Sequence, residues 1–152
     1  MKTYPKIVGG IDERSTSIVS LVYSTFAPSI IKMSSIVAAE IEKVIENTYR
    51  DVNIAFANEL ARICETYSVD VYEIIEAANS QPYSHILNPG LVGGHCIPMD
   101  PYYIISDARK RGVTPKLMQT ARDINEAMSQ HIVDMIDKDS VILSPSLPLS
   151  LR

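Results

Sequence analysis

Ile36 to Tyr67 reads IVAAEIEKVIENTYRDVNIAFANELARICETY, and the reading of this stretch decides the fold. It holds neither proline nor glycine, and the good helix formers Ala, Glu, Leu and Arg recur along it. Apolar residues return at Ile41, Val44, Ile45, Val52, Ala55, Phe56, Leu60 and Ile63, close to the helical period. Ser34 and Ser35 stand ahead of it as candidate N-caps. The pattern predicts one long helix, a rod of roughly 45 Å at 1.5 Å per residue. Such a rod outruns a small domain, so a partner subunit is expected to cover part of it.

Upstream, Lys6 to Gly10 is a short apolar strand closed by a glycine turn. Asp12 to Phe26 has helical spacing at Ile18, Leu21 and Val22, and Ile30 to Met33 reads as a second short strand. Strand, helix, strand suits the end of an α/β domain, although residues 1–34 are too few to form one alone. Downstream, Asp70 and Glu73 make a capping-box-like start for a helix that ends near Asn79. Residues 80–99 form a loop rich in Pro, Gly, Asn and Ser. Asp100-Pro101 opens the next helix and Gly112 ends it. Thr114-Pro115 opens a last helix, to about Lys138. The expected fold is mainly α: a helical domain over 35–138 with one long central helix. A short α/β remnant over 1–34 precedes it, and a linker or tail over 139–152, with Pro145 and Pro148, follows.

The bulk properties narrow the classes. At 152 residues the chain can bury one sizeable core, and 46% hydrophobic with 21% charged residues fits a globular protein. A net charge of -4 argues against a module that binds nucleic acid through its phosphates. No apolar run reaches the roughly 18 residues that a membrane helix needs. Met1 to Gly10 lacks the pattern of a secretion signal, so the chain is read as cytoplasmic, without a membrane partner. Cys64 and Cys96 fit neither a disulfide framework nor a zinc spacing. Each is then a packed residue or a reactive thiol.

Two constellations could carry chemistry. Lys43, Asn47 and Arg50 fall within roughly 60° on one face of the long helix. An ammonium, a carboxamide and a guanidinium on one stripe offer donors to an anion or to polar oxygens. The same pattern fits a solvated face, with Lys43 paired to Glu40, Glu46 or Asn47.

The second constellation is the loop Asn88 to Asp100, NPGLVGGHCIPMD. Gly93 and Gly94 let a ligand approach the backbone ahead of Cys96. Cys96 precedes a helix start, whose amide dipoles favour a thiolate. His95 could contribute, and Asp100 could act as a base or orient a water. Against this, a cysteine is often only a small buried hydrophobe, and Cys64, among apolar neighbours, is read that way. No G-x-G-x-x-G, G-x-S-x-G, P-loop or H-E-x-x-H occurs. His85 and His131 read as surface or capping residues, and no metal site is expected.

The stretch from Glu40 to Leu60 resembles the central-domain helix of the UDP-sugar 6-dehydrogenases. Gly93-Gly94-His95-Cys96-Ile97-Pro98-Met99-Asp100-Pro101 resembles their catalytic cysteine motif, and Pro5 to Gly10 the end of their cofactor domain. Arg50 through Glu59 is most similar to the UDP-N-acetyl-D-mannosamine branch. Together the resemblances span most of residues 4–138. They imply an N-terminal Rossmann domain for NAD, a helical central domain that forms a homodimer through the long helix, and a C-terminal domain for the UDP moiety. NAD would be held mainly by the first of these, so no cofactor-binding residue is assigned within this chain, and the chain alone is expected not to turn over a UDP-sugar.

The resemblance also implies roles. Cys96 would attack the C6 aldehyde of the sugar, giving a thiohemiacetal and then a thioester. Lys43 and Asn47 would handle protons and oxyanions and contact substrate, and Asp100 would help to activate water. Arg50 and Gly93 would contact substrate in the mannosamine branch. The chain departs from the family in a glycine loop one residue shorter. Gln81 and Tyr83 stand where a substrate-touching His and Arg are expected, which makes Tyr83 a candidate substrate contact. UDP-N-acetylglucosamine and UDP-glucose are the alternative sugars. Two other classes stay open: a non-catalytic dimerisation module, and a cysteine hydrolase pairing Cys96 with His95 or His85. The hydrolase reading is weakened because a triad base usually comes from a separate element.

Overall fold

A computed structural model describes residues 3–142 of the chain. It is mainly α: β1 (Lys6–Val8), α1 (Glu13–Ser24), β2 (Ile30–Lys32), α2 (Ile36–Tyr67), α3 (Val71–Asn79), α4 (Asp100–Lys110) and α5 (Lys116–Ile142). The first three elements form a strand–helix–strand unit in which Lys6, Ile7 and Val8 pair in parallel with Ile30, Ile31 and Lys32. The end of β1 lies hard against the start of α2. A Cβ on Gly9 would sit 2.5 Å from the Ser35 carbonyl oxygen and 2.8 Å from the Ala39 Cβ, so only glycine fits there.

The helix limits follow local chemistry. Ser35, extended at φ -159, accepts from the Ala38 amide at 3.1 Å and starts α2. Asp70 accepts from the Tyr72 amide at 2.8 Å and starts α3. Pro101 sits in the first turn of α4, and Gly112 follows its end at φ +83. Ser68 closes α2 in the left-handed region at φ 56, a post more often given to glycine. At 32 residues α2 is a rod of about 48 Å. The last helix runs to Ile142, past its expected end at Lys138. The remainder of the expected 139–152 tail lies outside the described residues.

The long rod packs mainly on α5 and α4, and its buried face is polar. Asn47, Thr48, Asp51 and Asn58 are buried together with the small residues Ala55, Ala57 and Cys64. The packed reading of Cys64 agrees with this. The opposing face of α5 contributes Ala121, Arg122, Asn125 and Met128. Arg122 Nη1 donates to Asp51 Oδ1 at 2.6 Å, with side chains only 4% and 0% exposed. Asn125 Nδ2 donates to the same oxygen at 2.8 Å and to the Asp51 carbonyl at 2.9 Å. Arg122 also bonds Glu126 at 3.1 Å and lies 5.5 Å from the centre of the Tyr102 ring on α4. Burial opposes the Arg122 charge, but its bonds to Tyr102, Glu126 and Asp51 outweigh that and hold its pKa above the ordinary value.

A buried ion pair adds little net stability against an apolar pair of the same shape, yet losing one partner strands the other charge. Arg122→Met is therefore expected to cost roughly 3–5 kcal/mol in urea unfolding, and adding Asp51→Leu to recover part of that loss.

Candidate functional site

The site is built on α2 and on the loop that joins α3 to α4. Residues 80–99 carry no helix or strand, and asparagines hold them in place. Asn79 donates to the Ile86 carbonyl at 2.8 Å and accepts from the Ile86 amide at 2.7 Å. Asn53 donates to the His85 carbonyl at 2.8 Å and accepts from the Leu87 amide at 2.8 Å. Asn58 donates to the Gly90 carbonyl at 3.1 Å and accepts from the Gly90 amide at 2.8 Å. Such paired bonds let a carboxamide stand in for a strand neighbour, which an irregular segment otherwise lacks.

Cys96 is free and exposed, in the turn that leads into α4. Its carbonyl accepts from the Met99 amide at 3.1 Å and the Asp100 amide at 2.8 Å, which ties the cysteine to the helix start. Asp100 Oδ2 in turn accepts a short hydrogen bond from Asn47 Nδ2. The other end of the Asn47 amide, Oδ1, accepts a short bond from Arg50 Nη2. Arg50 thereby dictates which way the amide faces. Glu46 bonds Arg50 at 3.3 Å and Lys43 at 2.9 Å. The Lys43 ammonium holds the Glu46 carboxyl below its usual pKa, with the charges of Lys43 and Arg50 adding to the effect.

One chain of polar contacts therefore runs from Lys43 through Glu46, Arg50, Asn47 and Asp100 to Cys96. Five residues singled out in the sequence lie on it. Lys43 is at its outer end and spends its ammonium on Glu46, one of the pairings that a solvated face would show. Gly93 and Tyr83 lie off it. A Cβ on Gly93 would meet nothing within 4 Å, so the position is open. Tyr83 is 97% exposed and lines a groove of about 620 Å³ beside Tyr49, Phe56, His85 and Leu117. Glu46 as a bridge, and Asn53, Asn58, Asp51 and Arg122 as supports, were not picked out from the sequence. The Asn and Asp residues at one turn and three turns beyond Asn47 were the available signal.

Gly10 is crowded by Thr16, whose hydroxyl oxygen accepts from its amide at 2.9 Å, and Gly9 by α2. Both glycines serve internal packing rather than a phosphate. His131 pairs with Glu65 at 3.0 Å. No described helix is long and apolar enough to cross a membrane.

Fold and site together define a helical domain that presents an exposed cysteine whose carbonyl is tied to the start of α4, where the Asp100 carboxylate is bonded to the Asn47 amide. The profile of the UDP-glucose/GDP-mannose dehydrogenase family, central domain, matches residues 37–127. A UDP-N-acetyl-D-mannosamine dehydrogenase of Methanocaldococcus jannaschii is 43% identical over 134 residues, 88% of this chain and 30% of that protein. An NDP-N-acetyl-D-galactosaminuronic acid dehydrogenase of Ralstonia solanacearum is 39% identical over 132 residues, 86% of this chain and 30% of that protein. The solved structure of a UDP-D-ManNAc dehydrogenase from Pyrococcus horikoshii superposes with a TM-score of 0.83 at 37% identity, covering 90% of this chain and 32% of that one. The chain belongs to the UDP-glucose/GDP-mannose dehydrogenase family and spans about a third of the length of these relatives.

Two carboxylates of these polar networks are held below the ordinary range by their partners. Hydrogen bonds from the Tyr102 hydroxyl first and from Arg122 second hold the Glu126 carboxyl below the usual glutamate pKa. Glu46 is lowered in the same direction. A lowered folded pKa gives stability that is present above the unfolded value and lost as pH falls through the folded one. Both groups are half-exposed, so each effect is small. Urea midpoints measured from about pH 6 to about pH 3 are expected to fall across the acid limb, and Glu126→Gln to flatten it.

Proposed function

We propose that this chain is the central, thiol-bearing part of an NAD-dependent nucleotide-sugar 6-dehydrogenase whose substrate is UDP-N-acetyl-D-mannosamine. The observation that carries the reading is the contact chain from Asn47 through Asp100 to the Cys96 turn, beside an exposed thiol. The names of the relatives favour a nucleotide-sugar substrate, and mannosamine among the sugars. NAD supplies hydride acceptance, and we assign its binding to the part of the relatives' length that this chain does not span.

The chain's own residues then divide the remaining work. The C6 alcohol first loses a proton and a hydride and becomes an aldehyde. The Cys96 thiolate adds to that carbon, and the carbonyl oxygen takes up a proton to become the hydroxyl of a thiohemiacetal. Loss of the hydroxyl proton and of a second hydride from the same carbon leaves a thioester on Cys96. Water attacks the thioester carbon, the carbon–sulfur bond breaks, and the uronate leaves with the thiol restored. Each addition builds negative charge on the sugar oxygen, and donors fixed in advance stabilise it best. Asn47 is such a donor, oriented by Arg50. Lys43 brings a positive charge on a flexible stem and exchanges Glu46 for the developing oxyanion. The Asp100 carboxylate accepts a proton from the attacking water. Arg50, Gly93 and Tyr83 contact the nucleotide sugar.

The chain is also proposed to dimerise through α2. Tyr49, Phe56 and Ile63 recur every two turns on the rod and are 55%, 53% and 50% exposed. A long apolar stripe left half-open is the kind of surface a two-fold partner covers. That stripe also favours a second reading, a dimerisation module in which Cys96 is incidental.

The test is NADH yield from the full-length protein, offered UDP-N-acetylmannosamine, UDP-N-acetylglucosamine and UDP-glucose in parallel. The proposal expects two NADH per molecule of the mannosamine sugar, lost in Cys96→Ala, and none from residues 1–152 alone. No NADH from the full-length protein with any sugar would put the dimerisation module first.

A further inference from the structure

The loop that carries Cys96 has almost no means of holding itself. Leu91, Gly93, Gly94, His95 and Cys96 are exposed. From Leu91 to His95 no backbone group finds a hydrogen-bond partner among the described residues. A Cβ on Gly90, Gly93 or Gly94 would meet nothing within 4 Å, so close packing does not fix this segment either. Its course depends on its two ends. Downstream, the Cys96 carbonyl is tied to the start of α4. Upstream, the last ties are Asn53 on His85 and Leu87, and Asn58 on Gly90.

We propose that Asn53 and Asn58 are positioning residues for Cys96, holding the thiol in register through backbone bonds to Leu87 and Gly90. The proposal rests on the reading of Cys96 as the nucleophile.

The geometry of Asn58 suits that task. It is 0% exposed, and its amide is fully used. Its oxygen takes the Gly90 amide, while its nitrogen serves both the Gly90 carbonyl and Asn125 Oδ1, the latter at 2.9 Å. Asn125 can present its oxygen to Asn58 because its own nitrogen is spent on Asp51. The buried network thus sets the orientation of the Asn58 amide: a reversed amide would put its oxygen against Asn125 Oδ1 and its N–H groups against the Gly90 amide. Asn47, about three turns earlier on the same helix, holds Asp100 at the far end of the loop. Cys96 hangs between two points of one rigid rod. Asn53 adds a third bond pair from the more exposed flank of that rod, so its removal disturbs the core least.

A displacement of about 1 Å at a reacting atom can cost roughly 100-fold in rate, which a loop freed at one end would allow. The experiment uses the full-length protein and measures kcat and KM per folded molecule for Asn53→Ala and Asn58→Ala. Gly90→Ala, which keeps both bonds, is the control. Chymotryptic cleavage between residues 82 and 99 is followed in parallel. The expected result is a kcat lower by about 100-fold in Asn58→Ala and roughly tenfold in Asn53→Ala, with KM within about twofold. The loop is cut faster in both, and Gly90→Ala behaves as the parent. A purely structural role would lower the unfolding midpoint and leave kcat per folded molecule unchanged. That outcome overturns the proposal, and Asn53→Ala decides it if Asn58→Ala does not fold. Full activity in Cys96→Ala, or no activity in the parent with any UDP-sugar, removes the nucleophile reading and the positioning role with it. Activity lost in Cys96→Ala but unchanged in a folded Asn53→Ala overturns the positioning role alone.

Discussion

A carboxylate with no access to water organises this domain. Asp51 is 0% exposed in the middle of α2, and an isolated charge there would be prohibitive. It is tolerated because Arg122 and Asn125 both reach it from α5. That requirement fixes how α5 lies on α2, since an apolar contact would allow sliding and a pair of directed bonds does not. Arg122 extends the constraint to α4 through Tyr102 and Glu126. Three helices are therefore aligned by one buried charge.

The same network reaches the loop. Asn125 orients Asn58, and Asn58 takes both backbone groups of Gly90. At the other end Arg50 orients Asn47, and Asn47 takes Asp100. In both places one polar side chain sets the amide of another, and that amide then sets the backbone at one end of the loop or the carboxylate at the other. The loop can stay open and glycine-rich, as a segment that must admit a ligand requires, because the rod beneath it supplies the rigidity.

The helices were legible because their limits are written locally. Ser35, Asp70, Pro101 and Gly112 act within a turn of where they stand, and a single sequence displays them. The face of α2 that is buried was legible only in part. Of the apolar positions that recur at the helical period, Ala55 is buried and Val44, Val52 and Leu60 are half-buried, but Ile41, Ile45, Phe56 and Ile63 are 45%, 39%, 53% and 50% exposed. Beside Ala55, Ala57 and Cys64 the buried positions are Asn47, Thr48, Asp51 and Asn58, which a periodicity argument reads as solvated. Their partners on α5 and in the loop lie far along the chain, so only folding brings them together. Within the candidate site, Asn47, Arg50, Asp100 and Cys96 were identifiable from motif and spacing and stand on one contact chain. Lys43 shares that chain, yet its ammonium faces Glu46, because an i, i+3 carboxylate on the same helix was its nearest partner.

The central claim is that α2 holds the cysteine loop through asparagine side chains rather than through the loop's own packing. Amide hydrogen exchange of the unaltered protein, resolved by residue, tests it most directly. The account predicts that Ile86, Leu87 and Gly90, whose amides donate to Asn79, Asn53 and Asn58, exchange slowly, as the buried turns of α2 do. Leu91 to His95 exchange fast beside them. Gly90 exchanging as fast as Gly93 would contradict it, because the loop would then be held by something other than the rod.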